Sequence, residues 1–373
     1  MIISKNSINT TRKTILVAPM DWGLGHATRC IPIIRELQIG NNKIIIAATG
    51  AVKNLLQQEF PALEIIPLQG YNIKFSNNKK LFALKIFTQL PKILFTIIQE
   101  KRWLKKAIKK YKIDLVIADN RPGLYHAFIP TVYITHQLCI KTGNCITENI
   151  ASTIHRYFIN KFKYCWVPDF EGTENIAGEL SHSNKKLKHV KYIGGLSRFE
   201  PLENIQKEFD LLIILSGPEP QRTIFENILL SQLDNFNGTI LFVRGIPGQN
   251  NFTIEIEKLI ALNNQFVFKN HLTAIELCKA IQQSKMVISR SGYTTVMDLL
   301  KLGQPAILVP TPGQAEQEYL ASYLSNKNIF YFIQQENFLL KEAIAKATAK
   351  NNCMPMFEME LYKKTIQQLQ QLL

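Results

Sequence analysis

The chain is short of several features, and each absence narrows its class. No run of about 18 apolar residues occurs in the 373 residues, so no membrane-spanning helix is expected. Cysteine is scarce. Cys30, Cys139, Cys145, Cys165, Cys278 and Cys353 lack Cys-x-x-Cys spacing, which points to reduced structural thiols in a cytoplasmic protein. His126, His155, His182 and His189 show no ligand spacing, so no metal set is read. Charged residues reach only 20% against 46% apolar, a globular balance that argues against disorder. The basic amino terminus leads into a short apolar run and then a glycine turn, which reads as a first strand and not a signal peptide. A complete Gly-x-Gly-x-x-Gly fingerprint is also missing. Thr28 stands where the third glycine belongs, and the second strand ends without a ribose-binding acid, which disfavours a dinucleotide dehydrogenase.

Negative charge is missing from one half. Residues 1–198 carry 29 Lys and Arg against 12 Asp and Glu, or +17, which leaves −2 for the remainder. The excess concentrates in residues 74–112, where 12 basic residues face Glu100 alone and apolar side chains (Leu94, Phe95, Ile98, Trp103) recur at helical spacing. Such a segment can lie on an anionic membrane surface, each basic residue contributing on the order of 1 kcal/mol. The other reading is that its apolar stripe packs on the core and the lysines are merely solvated. Nucleic acid is not the expected partner, because no recognised binding motif occurs and the charge lies on an apolar helical segment rather than a loop or sheet with stacking aromatics.

What is present is alternation. Apolar strands alternate with amphipathic helices twice over, which predicts an α/β chain of two doubly wound, Rossmann-like domains. The Gly- and Pro-bearing segment from Gly194 to Glu208 marks the linker, dividing residues 1–198 from 199–355, and a helix over 356–373 can pack back on the first domain. Ligands in such folds bind at the carboxyl ends of the strands, so the loops there carry the chemistry.

Three loops stand out. After the first strand, Gly23 and Gly25 form a turn that places His26 at a helix start and Arg29 one turn on. A histidine at a helix amino terminus is held neutral, which suits a general base; a plain structural cap is the alternative. Asp119 ends a strand that can lie beside the first, so it can orient His26 or simply cap its own turn. His136 ends the next strand in the same cleft. In the second half, Ser216-Gly217 and Arg290-Ser291-Gly292 are strand-to-helix turns whose N–H groups suit a diphosphate, and Arg244 adds a cation. Asp298 suits ribose hydroxyls, and Gln317 and Glu318 suit a sugar.

At Met286 to Ala321 the chain resembles the GT-B glycosyltransferases, most closely the family 28 group that includes MurG and the diacylglycerol glycosyltransferases. The resemblance rests on Arg290-Ser291-Gly292, Asp298, Gly303-Gln304-Pro305 and Gln317-Glu318, with Gly23-Leu24-Gly25-His26 and Gly194-Gly195 in support. It implies a GT-B fold with an interdomain cleft, a UDP-sugar as co-substrate on the second domain and a glycan or lipid acceptor on the first. Gly23, Gly25, Arg29 and His136 are then acceptor-side residues. No cofactor is implied. Asp298 stands where the family usually has Glu, and Glu318 where it has Gln. His136-Gln137-Leu138 reduces the acceptor pattern, so a peptidoglycan acceptor is not carried over. The expectation is an inverting, metal-independent hexosyl or N-acetylhexosaminyl transfer by a cytoplasmic protein, peripheral on the inner face of the plasma membrane. The rivals are a UDP-sugar epimerase of the same fold, a basic nucleic-acid-binding protein and a domain that only binds its ligand.

Overall fold

The computed structural model describes residues 12–71, 88–183, 187–248, 251–263, 265–350 and 355–372. Residues 74–87 of the basic segment and Cys353 lie outside them. Two parallel sheets organise the rest. The first comprises β1 (Thr14–Pro19), β2 (Lys43–Ala47), β3 (Glu64–Ile66), β4 (Leu115–Asp119), β5 (Thr131–Ile134), β6 (Tyr164–Val167) and β7 (Val190–Tyr192), in the order β3-β2-β1-β4-β5-β6-β7. The second comprises β8 (Phe209–Ile214), β9 (Ile240–Val243), β10 (Phe266–Lys269), β11 (Ser284–Ser289), β12 (Ala306–Leu308) and β13 (Tyr331–Phe332), in the order β10-β9-β8-β11-β12-β13.

Helices cover both faces of each sheet, as the side-chain alternation of the strands requires. In β1, Ile15 and Val17 enter one buried cluster while Leu16 and Ala18 enter another on the opposite face. In β8, Leu212 faces one cluster, and Leu211 and Ile213 the other. The helices that matter for function are α1 (Leu24–Ile39), α2 (Gly50–Glu59), α3 (Leu90–Tyr111), α4 (Cys145–Ile159), α5 (Gln221–Leu230), α6 (Ile254–Leu262), α7 (Ala274–Gln283), α8 (Tyr293–Lys301), α9 (Ala315–Asn326), α10 (Leu340–Ala349) and α11 (Leu361–Gln371). Local sequence fixes their ends. Asn144 caps α4 by accepting from the Ile146 and Thr147 amides, and Thr273 with Glu276 forms a reciprocal capping box on α7.

Helix α3 is amphipathic in an unusual way. Its inner face buries Ile97, Glu100, Leu104 and Ala107, while Leu94, Phe95 and Ile98 remain exposed beside the lysines. Among the described residues no helix is long and apolar enough to cross a membrane. The last helix, α11, lies on the first sheet's side of the molecule. Tyr362, Ile366 and Leu369 join the cluster that holds Ile15, Ile31 and Ile34, and Gln367 Nε2 donates to Glu36 at 3.0 Å.

Both sheets change winding direction at one place. In the first it is between β1 and β4, where Pro19 pairs with Asp119; in the second it is between β8 and β11, where Ile214 pairs with Ser289. Loops leaving neighbouring strands in opposite directions leave a crevice there.

Candidate active site

At the first crevice the backbone register brings two segments of distant sequence together. Asp119 is the last residue of β4 and fully buried, while the turn after β1 runs through Gly23 into α1 and delivers His26 in the first helical turn. His26 Nδ1 lies 2.9 Å from Asp119 Oδ2. It also lies 2.7 Å from an Arg29 terminal nitrogen, which itself donates to the other Asp119 oxygen. A guanidinium can only donate, and Arg29 Nε already donates to Asp119 at 2.9 Å. Nδ1 cannot accept from Arg29 and donate to Asp119 at once; in the tautomer that donates its Nδ1 proton in a hydrogen bond to Asp119, His26 keeps Nε2 as the basic nitrogen. Burial, and then the Arg29 charge, holds the His26 pKa below the ordinary histidine value against the pull of Asp119. Burial would raise Asp119, but Arg29 and His26 outweigh it and its pKa is lowered. A neutral imidazole beside an ionised carboxylate is a competent proton acceptor.

The network continues across the cleft. Arg29 lies 2.7 Å from His136 Nδ1, so that nitrogen accepts and His136 Nε2 donates to Glu316 Oε1 at 2.7 Å. Glu316 belongs to α9 of the second domain. Burial opposes its charge, but His136 and then the more distant Arg29 and His26 win, and its pKa is lowered. The His136 ring stacks on Tyr293, the first residue of α8, at 4.1 Å. A second crossing lies beside it, where Thr294 Oγ1 donates to the Gly25 carbonyl at 3.3 Å. A Cβ on Gly25 would stand 2.9 Å from that hydroxyl, so glycine is what lets the first loop close on α8.

On the second crevice, Ser216 and Gly217 form an exposed turn between β8 and α5, with Gly217 at a φ of 103°. Gly292 is the N-cap of α8, and Ser291 is buried with its hydroxyl donating to the Gln317 carbonyl at 2.9 Å. The start of α8 at Gly292 is the kind of helix end that attracts phosphate, whereas the first turn of α5 is already engaged, Arg222 N donating to the Pro218 carbonyl and Thr223 N to the Glu219 carboxylate, each at 3.2 Å.

Several of the expected site residues are engaged by the protein itself. Arg290 does not offer a free cation. Its guanidinium donates to the carbonyls of Val309, Pro310 and Gln221 and to Gln335, lies 4.5 Å from the Phe225 ring, and is pulled to a pKa of about 10 by burial. Arg244 is likewise buried, held by Glu226 at 2.5 Å and Asn270 at 2.9 Å. Arg29 and His136 turn inward to Asp119 and Glu316 and present no free polar edge to an acceptor. Gln317 accepts from the Thr311 amide at 2.9 Å, and Glu318 from the Gly313 amide at 3.1 Å, so both shape the 311–314 loop. Asp298 is buried, accepts from the Ser197 hydroxyl at 2.6 Å and thereby fastens the interdomain linker; burial pushes its pKa up to about 6. Its side chain reaches the linker and not the open crevice.

Glu316 is the residue the sequence concealed. It precedes the two polar residues singled out, and the 100° step per helical residue decides which of three neighbours faces the cleft. Tyr293 carried no polar signal beyond its place after Gly292.

Comparison with known proteins bears on the whole arrangement. Residues 223–372 match the glycosyltransferase family 28 C-terminal domain. The chain is 23% identical over 359 residues, 92% of each chain, to the UDP-N-acetylglucosamine–N-acetylmuramyl-(pentapeptide) pyrophosphoryl-undecaprenol N-acetylglucosamine transferase of Natranaerobius thermophilus. Among solved structures it resembles the glycotransferase of kitacinnamycin, with a TM-score of 0.63 at 12% identity over 97% of this chain and 95% of that one. It also resembles MurG of Acinetobacter baumannii, with a TM-score of 0.54 at 15% identity over 97% and 99%.

Proposed function

We propose, from the premise that this chain belongs with the family 28, MurG-like glycosyltransferases, that its cleft moves an N-acetylhexosamine or hexose from a UDP-sugar to a hydroxyl of a lipid-linked acceptor. The observation that carries the reading is His26: a neutral imidazole backed by buried Asp119, poised at a crevice whose other wall holds a phosphate-type helix end at Gly292. The Natranaerobius relative is named for N-acetylglucosamine transfer to a pyrophosphoryl-undecaprenol, which makes N-acetylglucosamine the first donor sugar to test.

In the mechanism we infer, His26 Nε2 takes the proton of the acceptor hydroxyl as its oxygen attacks the anomeric carbon. The bond from that carbon to the diphosphate oxygen breaks with its electron pair, and UDP leaves. One displacement with no enzyme nucleophile inverts the anomeric centre. The turns at Ser216-Gly217 and Ser291-Gly292 receive the developing charge, so the step we propose uses no metal ion. Asp119 and Arg29 orient the base, and His136 with Glu316 holds the two walls together. For ribose to reach Asp298, that carboxylate has to leave Ser197. The exposed Leu94, Phe95 and Ile98 among the lysines of α3 support an anionic membrane surface as the place of work, on the cytoplasmic side.

The test is a thermal-shift screen of UDP-sugars followed by transfer to a lipid acceptor. A true donor at 100 times its Kd adds about 2.7 kcal/mol of stability. Stabilisation by UDP-sugars together with acceptor-dependent UDP release supports the reading. An epimer formed without acceptor, or no stabilisation by any UDP-sugar, refutes it.

A further inference from the structure

Helix α3 carries one acid among its many lysines, and that acid points inward. Glu100 is 2% exposed and is saturated with donors: Arg121 at 2.8 Å, the Tyr71 hydroxyl at 2.6 Å and the Gly123 amide at 3.0 Å. Burial pushes its pKa up despite Arg121. Buried ion pairs add little stability over apolar packing, so such a pair is better explained by the geometry it specifies.

The geometry concerns three loops at the first crevice. Arg121 is fully buried two residues after Asp119. Its Nε donates to the Pro19 carbonyl at 2.7 Å, at the end of β1, and one terminal nitrogen reaches Gln69 at 3.1 Å, beyond β3. Tyr71 in turn donates its amide to Asp21 at 3.2 Å, and its ring meets Trp22 edge-on at 6.2 Å. Gly123 is where the helix comes closest, since a Cβ there would stand 2.5 Å from the Ile97 carbonyl. The second terminal nitrogen of Arg121 is buried without a hydrogen bond, and an Asp21 oxygen lies 3.8 Å away. One carboxylate on α3 therefore ties together the turn that carries His26, the turn that follows Asp119 and the loop between them.

We propose that Glu100 is a positioning residue: acting through Arg121 and Tyr71, it sets the His26-bearing turn against Asp119 and so makes the placement of the base depend on helix α3. The proposal rests on the transferase reading for its kinetic arm only. Glu100 touches neither substrate nor reacting atoms.

The test uses the full chain with Glu100→Gln, which keeps shape but removes the charge that Arg121 needs. Hydrogen exchange of residues 19–29 and 119–124 is expected to quicken at least fivefold, with residues 209–309 unchanged. With UDP-sugar and acceptor, kcat per folded molecule falls at least fivefold, while KM for the UDP-sugar stays within twofold. Equal loosening of both domains, unchanged exchange in the two turns, or a kcat loss below fivefold overturns the proposal. Should Glu100→Gln fail to fold, Tyr71→Phe is read by the same exchange criteria, at a threshold of twofold. If the wild-type chain transfers no sugar, the functional reading falls, while the exchange comparison still decides this one.

Discussion

Replacing His26 by alanine removes the imidazole and leaves its surroundings intact, which makes it the sharpest probe of the cleft. Asp119 is not orphaned, because Arg29 Nε still donates to both carboxylate oxygens at 2.9 and 3.0 Å. The lost hydrogen bond costs about 1 kcal/mol of stability. The UDP site is assigned to the other domain, so UDP affinity should stay within twofold. Catalysis should suffer far more: a general base supplies roughly 10²- to 10⁴-fold, equivalent to about 3–5 kcal/mol of barrier. The pH dependence gives a second handle. A base works in its neutral form, and the His26 pKa is lowered from 6.5, so the wild-type rate should be flat above about pH 6.5 and fall as pH drops through the lowered pKa. The assay is UDP release at saturating donor and acceptor from pH 5 to 9. A variant that keeps more than a tenth of wild-type kcat, or whose residual rate shows the same acid limb, refutes His26 as the base.

Asp298 has a folded pKa raised to about 6, so the protonated form is favoured on folding; the benefit is present below the unfolded value near 4 and is lost as pH rises through 6. Asp298→Asn should therefore gain up to about 3 kcal/mol over wild type at pH 8 and nothing at pH 4, read as urea midpoints at the two pH values. Glu316→Gln weakens the His136 bridge, whose carboxylate is one-third exposed, by about 1 kcal/mol. Fluorescence transfer between labels on the two domains should report a wider cleft, and an unchanged signal would count against the bridge as a latch. Reversing Lys105 and Lys106 to Glu on α3 should cut binding to phosphatidylserine vesicles more than tenfold without altering UDP binding; undiminished flotation would leave α3 no role at a membrane.

The strands were readable because their apolar runs are bounded by glycine and proline and because alternation with helices leaves few topologies. The pairing of His26 with Asp119 was readable for a related reason: adjacent parallel strands put their carboxyl ends at one level, Asp119 ends β4, and His26 lies on the turn and helix that follow β1. Arg29, Arg244 and Arg290 were not, because a sequence shows a charge but not whether the fold supplies carboxylates or carbonyls to absorb it. The contact of Asp298 was not readable either. Its helix position is as read, yet the linker hydroxyl of Ser197 reaches it first. Glu316 escaped notice because three consecutive polar residues carry no phase, and only packing of α9 against the sheet fixes the helix's rotation.

Helix α11 has a consequence for how the chain is made. The first sheet's core is finished by Tyr362, Ile366 and Leu369, which are synthesised after the whole second domain. At about 5–20 residues per second, the intervening stretch takes roughly ten to thirty seconds to emerge. For that interval the nascent first domain carries an uncovered apolar groove over α1, a surface suited to chaperones or to misassembly. A fragment ending near residue 198 would carry the groove permanently, so the two halves are folding units in space but not in linear order.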